Sequence, residues 1–157
     1  MESVMEWQAS VIEGAANALA FWVGTTREDR LNWTPSAEPD SKTRSVLEVA
    51  HECVGSNRRA AAILGGSTPP EGPPPFTDVV TAQQQLKESA KELADVVRGL
   101  SESDLTRTFQ TGLGPMPGRL MVHLPAMNMI YHGGQVNYIQ RLYGDTEFRV
   151  PPPPPGA

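Results

Sequence analysis

His132 belongs to a row of five residues, Asn128, His132, Gln135, Ile139 and Leu142, spaced four, three, four and three apart. On a helix that spacing puts all five on one face. Ile139 and Leu142 make the lower half of the face apolar, which predicts burial. Asn128, His132 and Gln135 make the upper half polar. A buried imidazole between two carboxamides needs partners: each other, water, a metal or a ligand. Gly133 and Gly134 follow the histidine directly. Two glycines inside a helix cost roughly 1 kcal/mol each against alanine, so another element is expected close to that backbone. Tyr131 and Tyr138 flank the polar row and read as packing residues, with the mouth of a pocket as the alternative.

These residues need a helix to carry them and others to bury it. Residues 3–24 read as a first helix with a stripe of Met5, Gln8, Ile12, Ala15, Leu19 and Trp22, and Trp7 reads as core or rim packing. Residues 25–44 form a connection in which Trp33 anchors the loop under the bundle. Ser45 and Glu48 have capping-box spacing, which starts a second helix that ends at Gly65-Gly66. Its stripe is Val46, Ala50, Cys53, Asn57, Ala60 and Leu64. Asn57 is a further buried polar candidate, and His51 lies at the stripe's edge. A proline-rich crossover at 67–76 leads to Thr77 and Asp78, either of which can cap a third helix running to Gly99. After a connection over 101–118, a fourth helix runs from near Pro117 to Gly144, with a kink expected at Pro125. The sequence carries no convincing strand pattern, no repeat and none of the common nucleotide, zinc-protease or hydrolase motifs. The expected architecture is an all-α four-helix bundle over 1–148, followed by a proline-rich tail over 149–157.

Composition narrows the functions. The chain has 157 residues, 39% of them hydrophobic, and a net charge of -5. One domain with a real core fits that length, and nothing supplies the basic footprint of a nucleic-acid binder. No apolar run approaches the ~18–20 residues of a membrane span, and the first residues do not read as a secretory signal. A single cysteine, Cys53, allows no internal disulfide and suits a cytoplasmic protein.

Ser45-Val-Leu-Glu-Val-Ala-His51-Glu-Cys in the second helix and Tyr131-His132-Gly-Gly-Gln135-Val-Asn-Tyr-Ile139-Gln-Arg-Leu-Tyr-Gly144-Asp in the fourth resemble the DinB/YfiT-like superfamily. Asn32-Trp33-Thr-Pro35, Gly114-Pro115-Met116 and the segment Leu-Ser-Glu-Ser-Asp104-Leu resemble it too. The resemblance spans nearly the whole chain. It implies a bundle in up-down-down-up order and, in many members, a homodimer. It also implies a divalent metal, often nickel or zinc, on three histidines, and in some members transferase or isomerase chemistry on a low-molecular-weight thiol. His51 and His132 match two of those ligands. Asn128 stands where the third histidine belongs, and its amide oxygen is a poor ligand for nickel or zinc.

Two readings follow. In the first, a metal sits on His51 and His132, Asn128 or water completes the shell, Gln135 supports it, and the protein is a metal-dependent, thiol-using S-transferase or a hydrolase. In the second, His51, Asn128, His132, Gln135 and Asn57 form a metal-free polar cluster in a non-catalytic dimeric bundle or small-ligand binder. Glu52, about 100° from His51 round the helix, reads as solvated, and Cys53 as a buried structural thiol. Arg58, Arg59 and Arg141 read as surface charges, with a pair at a pocket edge able to hold a carboxylate. Met127, Ile130 and Val136 are the apolar residues expected at a dimer face.

Overall fold

The computed structural model describes residues 3–38 and 41–153. The elements are α1 (Val4–Gly24), a 3-10 turn (Glu28–Arg30), α2 (Val46–Leu64), α3 (Val79–Arg98), a short α4 (Glu102–Thr106), a hairpin of β1 (Thr108–Thr111) and β2 (Gly114–Pro117), and α5 (Gly118–Leu142). The four long helices are those expected from the apolar stripes. The connection over 101–118 is more ordered than the sequence suggests: it carries α4 and the hairpin, with Phe109 opposite Met116 and Gln110 opposite Pro115. Two prolines fit in β2 because a two-stranded ribbon leaves one side of each strand unpaired.

The caps fall where the side chains allow them. The Ser45 hydroxyl accepts from the Glu48 amide at 3.3 Å, and the Glu48 carboxylate accepts from the Ser45 amide at 2.7 Å. Asp78, rather than Thr77, caps α3 and accepts from the Thr81 amide at 2.8 Å. Replacing Ser45 by alanine removes one of the two reciprocal bonds of a buried cap. We expect a loss of about 1 kcal/mol in chemical denaturation, and an unchanged midpoint would show that solvent serves the α2 terminus equally well.

Side-chain contacts fix the helix directions. Arg98 at the end of α3 pairs with Glu6 and Glu13 near the start of α1, so these helices are antiparallel. Gln8 of α1 donates to the Val122 carbonyl early in α5, and Gln140 late in α5 donates to the Trp22 carbonyl late in α1, so these two are parallel. Asn57 and Arg58 of α2 meet Ser89 and Glu92 of α3, and Gly65 just after α2 lies beside Val96 near the end of α3, so α2 and α3 are parallel. The order is up-down-down-up, and the proline-rich crossover returns the chain to the top for α3.

Ile12, Leu19, Leu86, Leu93, Met129 and Val136 lie at the centre with almost no exposure. Several residues read from the sequence as buried are not. Trp7 is 54% exposed on the outer side of α1, and Leu142 is 48% exposed where α5 ends. Tyr131 and Tyr138 are exposed, Tyr131 with its ring edge-on to His132, while Val136 is wholly buried and belongs to no outer face. Trp33 does anchor its loop, edge-on to Tyr143 at 5.9 Å between ring centroids. The close approach expected at the paired glycines is real at one of them: a Cβ on Gly133 would lie 3.4 Å from Trp22, whereas one on Gly134 would meet nothing within 4 Å. α5 continues through the buried Pro125. In the tail, Arg149 pairs with Asp145 at 3.0 Å, and residues 154–157 lie outside the described part of the chain.

Candidate functional site

α5 supplies Asn128, His132 and Gln135 from one face, and α2 crosses opposite them. The His132 ring is buried and held at both nitrogens. Nδ1 lies 2.6 Å from the Gln135 amide oxygen, and Nε2 lies 2.9 Å from the Glu52 carboxylate. The Asn128 amide donates to the same Glu52 oxygen at 3.3 Å, and Arg44 stands 4.0 Å from it. The hydrogen bond from His132 is the main reason the Glu52 carboxyl is held below the usual carboxylate range, against the opposing effect of its partial burial. Cys53 is fully buried beside this pair, and burial pushes its thiol up, with the Glu52 charge adding to the effect. It is a buried thiol in this protein, as its place in the α2 stripe implied.

The structure brings together Asn128, His132 and Gln135, as the α5 spacing required. His51 is placed elsewhere. Its Nε2 is 2.6 Å from the Pro73 carbonyl and its ring packs edge-on against Phe76, so it ties α2 to the proline-rich crossover. The α2 residue facing His132 is Glu52, which the sequence reading left in solvent. Residues seven apart on a helix share a side. Arg58, seven on from His51, reaches Gln85 and Glu92 of α3, whereas Glu52 and Arg59 face α5 and the hairpin. Asn57 is buried on the α3 side and donates to Ser89 and to the sulfur of Met129. It supports the core and does not join the polar row.

Among the described residues, Glu52, Cys53 and His132 form a group whose ligand-type atoms lie within 4.8 Å of one another. With Nδ1–H given to Gln135, the Nε2 edge and the Glu52 carboxylate face each other and need a positive centre between them, either a proton or a metal cation. An imidazole, a carboxylate and a neighbouring sulfur suit a borderline cation such as zinc or nickel. Beside the pair opens a cavity of about 710 Å³ between α2, α5 and the hairpin. Glu52, Asn128 and Tyr131 line it together with Ile63, Met121 and Leu124.

Solved structures share this architecture. The chain is similar to a DinB-like protein, YjoA, from Bacillus subtilis, with a TM-score of 0.72 and 18% identity over 92% of this chain and 96% of that one. It is also similar to a conserved protein from Enterococcus faecalis, with a TM-score of 0.71 and 14% identity over 90% of this chain and 98% of that one. No protein-family profile matches the sequence, and no curated protein does. The protein therefore has a DinB-like fold: a four-helix bundle with a polar cluster between its second and last long helices.

Proposed function

We propose that the protein is a metal-assisted enzyme acting on a small molecule, with Glu52 and His132 as the principal metal-holding residues. The contact of the buried His132 with Glu52, which itself lines an open cavity, carries this reading. Gln135 fixes the His132 ring so that Nε2 faces the site. Asn128 braces the Glu52 carboxylate through its amide, and Cys53 lies close enough to join on losing its proton. A divalent cation here would supply Lewis acidity and lower the pKa of a bound water or thiol. With one Glu52 oxygen turned to His132 and the cation, its other oxygen, on the cavity wall, would take the proton from the oxygen or sulfur of the attacking group. Hydrolysis and transfer to a low-molecular-weight thiol are the two outcomes of that arrangement. His51 anchors the crossover in this reading, and the three-histidine site of the resemblance becomes an imidazole and carboxylate site.

A second reading has one observation in its favour. Glu52 and His132 satisfy each other at 2.9 Å as they stand, which suits a non-catalytic small-ligand binder. Metal analysis after purification without a nickel resin, followed by zinc titration, separates the two. The enzyme reading expects about one zinc per chain, competed by a chelator. No uptake with an intact fold favours the binder. We also place the protein in the cytoplasm, in keeping with one free thiol, although the structure itself says only that no described helix can cross a membrane. A homodimer through Met127, Ile130 and Tyr138, all exposed along α5, completes the proposal.

A further inference from the structure

The walls of the cavity beside Glu52 are apolar: Ile63 from α2, Met121 and Leu124 from α5, and Met116 from the hairpin. Two charged residues line it, Glu52 and Arg59. Their situations differ. Glu52 is already bonded to His132 and Asn128. Arg59 has no ion-pair or hydrogen-bond partner among the described residues, although its neighbour Arg58 is bound to Glu92 and Gln85. Seven residues of helix separate the two, about 10 Å along the axis of α2 at the usual rise. The cavity wall thus carries a solvent-exposed guanidinium about two turns of α2 from Glu52 and Asn128, with apolar side chains between and around them.

We infer that the cavity takes a small molecule with a carboxylate at one end and an apolar, medium-chain body, its carboxylate held by Arg59 and its far end presented to Glu52 and Asn128. Guanidinium is the side chain best matched to a carboxylate, which it can hold through two parallel hydrogen bonds. The apolar walls replace water around the body of the occupant, and the length of the cavity sets its reach. The inference rests on the proposed function for which end reacts. Binding itself depends only on Arg59 and the walls.

Octanoate, whose extended length is close to that span, is the probe, with octanol and octylamine as neutral and cationic counterparts, each titrated calorimetrically into the full chain. Octanoate should bind more tightly than octanol, and octylamine should bind least. Arg59→Gln should weaken octanoate about tenfold, the worth of a charge-assisted hydrogen bond, and leave octanol unchanged. Ser56→Phe, which fills the cavity from α2, should weaken both. Equal binding of octanoate to the wild type and Arg59→Gln, no octanoate binding at all, or a preference for octylamine would overturn the inference. Zinc uptake by Arg59→Gln, measured in parallel, should match that of the wild type. Loss of zinc uptake in every protein with octanoate binding intact would remove the metal reading and leave the carboxylate site standing.

Discussion

Gly118→Ala should destabilise the protein by about 3 kcal/mol, the upper part of the usual range for overpacking. A Cβ at Gly118 would lie 1.9 Å from the carbonyl oxygen of Asp104 and 2.9 Å from its carbonyl carbon. Both are backbone atoms, so no rotamer change relieves the contact. The segment is also tied in place: the Gly118 amide donates to the Arg107 carbonyl at 2.8 Å, and Asp104 caps α4 by accepting from the Ser101 amide at 2.9 Å. Alanine has the better helix propensity, by roughly 1 kcal/mol, and the clash outweighs it. Gly134→Ala is the control. The site is exposed, with nothing within 4 Å of the added methyl. There the propensity gain acts alone, and stability should rise by up to about 1 kcal/mol. At a chain length of 157 residues, the two variants should melt on opposite sides of the wild type, Gly118→Ala lower by roughly 6–12 °C and Gly134→Ala higher by at most roughly 2–4 °C, on a scale of roughly 2–4 °C per kcal/mol. If Gly118→Ala melts with Gly134→Ala above the wild type, α4 does not pack against the start of α5 as described.

The contrast between the two glycines says how far a sequence reaches. Helix limits and caps were legible because they depend on neighbours within four residues. Ser45 with Glu48 needed nothing from the rest of the chain, and the cap of α3 was narrowed to Thr77 or Asp78. The hairpin was not legible. β1 is four residues long, β2 holds two prolines, and what orders them is burial of Phe109 and contact of the ribbon with α2 and α5. The polar row of α5 was legible for the same reason as the caps, since one helix fixes the relative positions of Asn128, His132 and Gln135. Which α2 residue meets them was not. His51 and Glu52 are about 100° apart, on opposite sides of the stripe centred on Ala50, Cys53 and Asn57. Choosing between them requires knowing on which side of α2 the last helix lies. The pairing of Arg58 with Glu92 settles it, and that is a contact between α2 and α3. The paired glycines divided in the same way: only the placement of Trp22 gives Gly133 its close neighbour.

Asn128→His should tighten zinc binding by roughly thirtyfold, about 2 kcal/mol. Asn128 and His132 are one helical turn apart on the same face, and the Asn128 amide already stands 3.3 Å from the Glu52 oxygen that His132 meets. An imidazole there would add a nitrogen ligand to a carboxylate and an imidazole that the bundle holds in place. The gain is bounded because the new ring must displace the bond that now steadies Glu52, and groups that orient a ligand are themselves worth about ten- to a hundredfold in affinity. Acidification should reverse binding in both proteins. Because the Glu52 carboxyl is held below its ordinary range, its charge persists until the pH falls beneath the usual carboxylate values. His132→Ala should abolish tight binding in either background, whereas His51→Ala should leave zinc affinity unchanged, since His51 is engaged with Pro73. Competitive titration of the five proteins decides the matter. A loss of zinc in His51→Ala equal to that in His132→Ala, with equal affinities for the wild type and Asn128→His, would return the metal to His51 and remove Glu52 from the site.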